Sequence, residues 1–141
     1  MNDGVRELSA DAVIRTGGWH PRYARVLLIE HDEQDAVILV DGNGDGAELE
    51  LEHWRRDEDG HWHGRSSSGH GPLAGLPTFQ AWNALEFVVA VGRAQPNTEV
   101  SVQYSGQVYR RRANEFGTWA FVHAADSPDS DELPAVVIPQ S

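Results

Sequence analysis

The chain has 141 residues, no cysteine and a net charge of −11 when its histidines are neutral. The lack of cysteine excludes disulfides, thiolate nucleophiles and cysteine-ligated zinc. All eleven cationic residues are arginine, so a Schiff-base lysine and a phosphate-loop lysine are excluded as well. The acidic balance disfavours a nucleic-acid partner, whose phosphates need a basic face.

The length and the 40% hydrophobic content predict one globular domain over residues 1–141. We expect an N-terminal arm at 1–20, which is either a short amphipathic helix using Val5, Leu8 and Ala12 or irregular. An acidic linker and a proline-bracketed tail follow at 126–141, and the tail is a candidate edge strand. Neither a signal-peptide run nor a membrane span is visible, so we expect a cytoplasmic protein that does not enter a membrane.

The first half predicts strands joined by tight turns. Apolar, β-branched runs at 22–30 and 35–42 indicate two buried strands, and "DGNGDG" at 41–46 is a strong turn signal. Residues 47–54 alternate strictly, which predicts a half-solvated strand with Leu49, Leu51 and His53 facing the core. A short return strand begins at His61, and its apolar residue Trp62 should face the core too.

Between residues 66 and 85 the patterns are weaker. Glycine and serine dominate 66–75, which predicts a mobile loop. Thr78 is a candidate cap for a short helix near 78–85 that would bury Phe79, Trp82 and Leu85 at helical spacing.

The second half predicts a series of hairpins. Strands are expected at 86–94, 98–104, 107–113 and 118–124. A two-residue Ser105–Gly106 turn would set Val102 opposite Tyr109. The next turn leaves the register open: a three-residue loop turns Trp119 and Phe121 inward, whereas a four-residue loop turns them outward beside arginines. The bulk of the two aromatic rings favours inward. With eight or nine strands in all, we predict an all-β, antiparallel β-sandwich.

Residues 88–122 resemble bacterial immunoglobulin-like modules. The resemblance lies in small residues, turns, a V-x-V alternation and an N-x-x-G-x-W-like ending: Gly92, Arg93, Ala94, Pro96, Asn97, Val100, Val102, Gly106, Asn114, Gly117, Thr118 and Trp119. It implies an immunoglobulin-like sandwich with a non-catalytic, adhesive or spacing role. Asn97 departs from the glycine that the family prefers, and the first half of the chain does not share the pattern.

The first half contains candidates for two kinds of metal site. The strand alternation predicts that His61 and His63 face solvent together with Glu52 and Trp54, on the side opposite His53. A zinc site built from His61, His63 and Glu52 would therefore be open to water. Residues 41–52 match the sequence pattern of a calcium-binding loop at Asp41, Asn43, Asp45, Gly46 and Glu52. The flanking segments, however, predict strands rather than the helices of an EF-hand. Asp41, Asn43 and Asp45 therefore remain candidate calcium ligands.

The remaining candidates are aromatic or nucleophilic. Five tryptophans are a high number for this length, and an exposed tryptophan can stack on a sugar or anchor a partner. A serine of "SSSGHG" (66–71) next to His70 is a weak signal for a hydrolase, because no G-x-S-x-G elbow accompanies it.

These observations favour a non-catalytic binding module with a protein partner and without a cofactor. The expected contact surface is the hairpin with Trp54, Arg55, Arg56, His61 and His63. A domain that binds carbohydrate or Ca²⁺ is the alternative, and an enzyme with a histidine-based site ranks last. The pattern does not predict an oligomeric state.

Overall fold

The computed structural model describes residues 4–127 and 129–137, without the Val137 side chain, and its architecture is all-β and antiparallel. The described part contains one short α-helix, one 3-10 turn at Leu73–Gly75 and ten strands. The chain divides into two compact units, Met1–Leu76 and Pro77–Ser141. The single-domain organisation stays a prediction.

The first unit is a helix followed by a four-stranded meander. The helix α1 (Ala10–Thr16) begins at Ser9, whose hydroxyl accepts a hydrogen bond from the Ala12 N–H at 3.1 Å. The strands are β1 (Arg25–His31), β2 (Asp35–Asp41), β3 (Leu49–Arg56) and β4 (Trp62–Gly71), in the order β1-β2-β3-β4. The helix alternative for the N-terminal arm is confirmed over residues 10–16, and residues 1–3 of that arm lie outside the described part.

The central strand β2 and much of β3 are buried on both faces of this sheet, whereas most of β4 is exposed. One face, which we call the helical face, joins the α1 residue Val13 in a core with Ala36, Ile38, Val40, Trp54 and Trp62. The opposite face carries the buried residues Val37, Leu39, Leu49 and Leu51. The half-solvated strand predicted at 47–54 holds at the exposed Glu48 and in part at Glu50, but it is wrong at Glu52 and Trp54, which lie on the same side and are buried.

The second unit consists of two three-stranded sheets. Strands β5 (Gln80–Asn83), β6 (Phe87–Arg93) and β9 (Thr118–Ala124) form one sheet in the order β5-β6-β9. Strands β7 (Glu99–Tyr104), β8 (Gln107–Arg112) and β10 (Ala135–Val137) form the other in the order β10-β7-β8. Side chains from both sheets share one core, which makes this unit a sandwich: Val88, Ala90, Val100, Val102, Tyr104, Ala113, Trp119 and Phe121.

Several expectations for the second unit are confirmed. Val102 pairs with Tyr109 across a turn in which Ser105 and Gly106 both have positive φ. Trp119 and Phe121 face the core. The tail forms the edge strand β10, although residues 138–141 of the linker and tail, like residue 128, lie outside the described part.

Two local expectations are wrong. The segment near 78–85 is not a helix, because residues 80–83 pair with β6 as strand β5 and leave Phe79 and Leu85 exposed. Residues 66–71 are not a loop, since they continue β4 and pair with β3 along its length. In both cases hydrogen bonds from a neighbouring strand outweigh a weak local preference.

Candidate functional site

A groove of about 670 Å³ lies in the first unit. It is bounded by the C-terminal end of α1 and by strands β3 and β4. Its volume falls in the range of roughly 300–1,000 Å³ that is common for ligand sites. Charged and aromatic residues line much of it: Arg15, Glu52, Trp54, Trp62, His63 and Arg65.

Small and hydroxylated residues complete the lining. Thr16, Ser66 and Ser67 contribute side-chain hydroxyls. Gly64 keeps the wall beside Trp54 open, since a Cβ at this position would lie 3.5 Å from the indole Cε2 atom. The groove therefore combines a partly apolar wall with polar groups that can orient a ligand.

Glu52 is held between two tryptophans. The Trp19 Nε1 group donates to Glu52 Oε2 at 2.7 Å, and the Trp54 Nε1 group donates to Glu52 Oε1 at 2.8 Å. Glu52 and Trp54 are two residues apart on β3, so they share the helical face, while Trp19 approaches from the segment after α1. Only 8% of Glu52 is exposed, so this arrangement fixes a carboxylate at the groove.

The tryptophans are more buried than expected. Trp54, Trp62 and Trp119 are 3%, 4% and 1% exposed, and Trp19 and Trp82 are half-buried. The expectation that Trp54 faces outward among glutamates is wrong, because α1 packs over its side of β3. Trp62 is buried as expected, but it packs on the helical face with Trp54 rather than on the face of Leu49 and Leu51. Trp54, Trp62 and Trp119 thus expose little ring surface, and stacking on a sugar stays a prediction for the half-buried Trp19 and Trp82.

The histidines of the first unit belong to separate pairs. His53 Nε2 lies 2.9 Å from Asp35 Oδ1, which also contacts Arg55 Nη1 at 3.4 Å. His63 Nε2 lies 2.6 Å from Asp57 Oδ2. His53 and His63 therefore have different carboxylate partners, although the register sets His63 opposite Arg55, two residues from His53, and does not place the two histidines on opposite faces as predicted.

Asp57 organises the turn between β3 and β4. Its Oδ1 atom accepts hydrogen bonds from the backbone N–H groups of Asp59 and His61, each at 2.9 Å. The His61 backbone bond, followed by the His63 side-chain bond, lowers the pKa of Asp57 from 3.8 to about 2. The carboxylate thus stabilises the tip of the hairpin that we predicted as a contact surface.

The five residues of that predicted contact surface are not equivalent. Trp54 and His63 line the groove, whereas Arg56 is exposed and places its guanidinium 5.7 Å from the centre of the Trp62 ring. Arg55 contacts Asp35, and His61 lies 4.0 Å from Asp57. Sequence reasoning missed the groove residues Arg15, Thr16 and Arg65, because only the fold brings α1 to this part of the sheet.

The predicted calcium ligands lie in the turn between β2 and β3. Asp41 is buried, and its two oxygens accept hydrogen bonds from Gly44 at 3.0 Å and Gly46 at 2.7 Å. Asn43 and Asp45 are exposed. Asp41 therefore shapes the turn, and calcium binding stays a prediction that calorimetric titration with Ca²⁺ would test.

In residues 4–127 and 129–137, no group of three or more histidine, aspartate or glutamate side chains is arranged to hold a metal ion. Glu52 is engaged by indoles and His63 by Asp57. A zinc ion bound by Glu52, His61 and His63 would have to displace these hydrogen-bond partners.

Ser68 and His70 form a side-chain pair on β4. Their Oγ and Nε2 atoms lie 3.2 Å apart. Neither residue lines the groove, and Ser68 is exposed.

In the described part of the chain, no helix has the length and apolar character needed to cross a membrane. Comparison with family models, curated proteins and solved structures found no match to this chain.

Proposed function

We propose that this protein is a non-catalytic binding module and that the groove of the first unit is its binding site. The observation that carries the proposal is the buried Glu52 carboxylate, fixed at the groove by Trp19 and Trp54. A rigid polar group in a concave, partly apolar site is what specific recognition requires.

We favour a binding role over catalysis because the serine and the histidine at the groove have different carboxylate partners. Ser67 donates to Glu50 Oε2 at 2.5 Å, and His63 Nε2 lies 2.6 Å from Asp57 Oδ2. A serine–histidine–carboxylate triad would instead join the serine to the histidine. We place the protein in the cytoplasm and expect a protein partner, in keeping with its composition.

The second unit supports a separate, structural part of the proposal. In an immunoglobulin-like sandwich, strands A, B and E share one sheet, while C pairs with F and with C′ in the other. The orders β5-β6-β9 and β10-β7-β8 fit this scheme when the six strands are read as A, B, C, C′, E and F. We propose that residues 77–137 form such a module and act as a scaffold or spacer.

Blocking the groove tests the binding proposal. Gly64 and Gly69 both lie on exposed β4 backbone without positive φ, but only Gly64 lines the groove. We expect Gly64→Tyr to fill the groove and Gly69→Tyr to leave it open. Ligand-observed NMR with a panel of small polar and charged compounds would compare both variants with the wild-type chain.

Compounds that bind the wild type and Gly69→Tyr but not Gly64→Tyr would support the groove as the binding site. If every bound compound behaves identically with the two variants, or if none binds the wild type, the proposal is wrong. Circular dichroism of both variants would verify that the fold is retained.

A further inference from the structure

The charge of Glu52 has no cationic partner in the described part of the chain. Both of its hydrogen-bond partners, the indoles of Trp19 and Trp54, are neutral. No described arginine or histidine forms an ion pair with it. A buried carboxylate normally pairs with a cation, because hydrogen bonds to neutral donors offset only part of its desolvation.

Glu52 also retains hydrogen-bonding capacity toward the groove. A carboxylate offers about four acceptor positions, and the two indoles take one on each oxygen. Because Glu52 lines the groove, we expect a ligand there to reach the remaining positions. The complementary group is one that donates several hydrogen bonds and carries positive charge.

The other features of the groove agree with a cationic ligand. Trp54 lies in the same wall, and an indole attracts a nearby cation. Arg15 is already paired with Asp11 at 3.4 Å, which reduces its repulsion. Arg65 is exposed, so water screens its charge more than that of the buried Glu52. The net charge of −11 favours the approach of cations.

We infer that the groove binds an organic cation with a primary ammonium group, which sits against Glu52 with its alkyl chain along the Trp54 wall. The lysine side chain of a peptide and a free alkyl diamine share this chemistry. The inference rests on the proposed function, and it adds the chemical class of the ligand.

The test uses the full chain and three probes. They are the peptide acetyl-Gly-Lys-Gly-amide, the same peptide with an acetylated lysine, and 1,4-diaminobutane. Binding would be followed by two-dimensional ¹H–¹⁵N NMR, in which the indole N–H signals of Trp19 and Trp54 report on the two bonds to Glu52. We expect the lysine peptide to shift these signals and the acetylated peptide to bind at least about tenfold more weakly.

Two pairs of variants identify the site. Glu52→Gln removes the charge, and Glu48→Gln makes the same change at an exposed position outside the groove. We expect binding to weaken by about tenfold or more only in Glu52→Gln. Should Glu52→Gln fail to fold, Gly64→Tyr with its control Gly69→Tyr tests the same site with Glu52 intact.

Each outcome decides the inference. Tighter binding of the lysine peptide than of 1,4-diaminobutane assigns the cation to a peptide, and the reverse order assigns it to a small amine. Equal binding of the acetylated peptide, unchanged binding in Glu52→Gln, or no binding of either cation at millimolar concentration overturns the inference. If neutral or anionic compounds still bind the wild type but not Gly64→Tyr, the binding-module proposal survives and only the cationic ligand class is wrong.

Discussion

Trp19 and Glu52 lie 33 residues apart in the sequence, and a hydrogen bond of 2.7 Å joins the indole Nε1 atom to the carboxylate Oε2 atom. This bond ties the segment after α1 to the third strand of the sheet. It fixes one side of the groove, since Glu52 would otherwise be restrained only by Trp54. The position of the Glu52 carboxylate at the groove therefore depends on the hydrogen bond from Trp19.

Replacing Glu52 should lower the stability of the first unit. In Glu52→Gln, an NH₂ group replaces one of the two oxygens and faces an indole N–H with no acceptor between them. We expect the free energy of unfolding to fall by about 1–3 kcal/mol. Urea unfolding followed by tryptophan fluorescence measures this change.

The exposed Glu48 is the matched control for that measurement. Glu48→Gln should change the free energy of unfolding by no more than about 0.5 kcal/mol. Equal stability of the two variants would show that the bonds from Trp19 and Trp54 contribute little.

Asp35→Asn should also destabilise the first unit. The Asp35 side chain is 2% exposed and contacts His53 and Arg55, whose side chains are 19% and 29% exposed. Because water reaches both partners, we expect a loss of about 1–3 kcal/mol rather than the larger loss of a fully buried pair. Thermal unfolding of Asp35→Asn and of the exposed control Glu33→Gln tests this, and similar melting temperatures would contradict it.

Asp57 should titrate near pH 2 in the folded protein. Its pKa is lowered from 3.8 to about 2, chiefly by the His61 backbone N–H and then by the His63 side chain. Since the folded pKa lies below the unfolded one, the stabilisation by Asp57 is complete above about pH 4 and is lost as the pH falls toward 2. Carbon-detected NMR of the Asp57 carboxyl group measures this pKa.

The variant His63→Gln separates the two main causes of the low Asp57 pKa, the His61 backbone N–H and the His63 side chain. We expect the pKa of Asp57 to rise in this variant but to stay below 3.8, because the His61 backbone bond persists. A pKa of 3.8 in His63→Gln would mean that the side-chain pair alone is responsible.

Gly92→Ala should destabilise the second unit. A Cβ at Gly92 would meet the carbonyl oxygen of Thr78 and lie 2.9 Å from Trp119 Cζ2. Because backbone would have to move, we expect a loss of about 1–3 kcal/mol. In the control Gly69→Ala, the nearest atom is Glu50 Oε1 at 3.7 Å, so the same methyl group has room. Chemical denaturation of both variants provides the comparison, and equal losses would contradict the steric argument.

The features that the sequence determined by itself are those with a strong local cause. The run at 118–124 becomes β9 with the predicted bounds, because its β-branched and aromatic residues suit a buried strand. The Ser105–Gly106 turn sets the register of β7 and β8, since both residues adopt the positive φ that this turn requires.

The tertiary structure decided which surfaces are covered and which segments with a weak local preference become strands. β3 offers hydrogen bonds that make residues 66–71 a strand, and β6 does the same for residues 80–83. The alternating pattern of β3 predicts that Glu52 faces solvent. In the structure, α1 packs on that face of the strand, and two indoles donate hydrogen bonds to the Glu52 carboxylate. The sequence pattern of one strand predicts which of its side chains share a face. It does not predict which distant segment packs over that face, and the packing of α1 over β3 creates the groove.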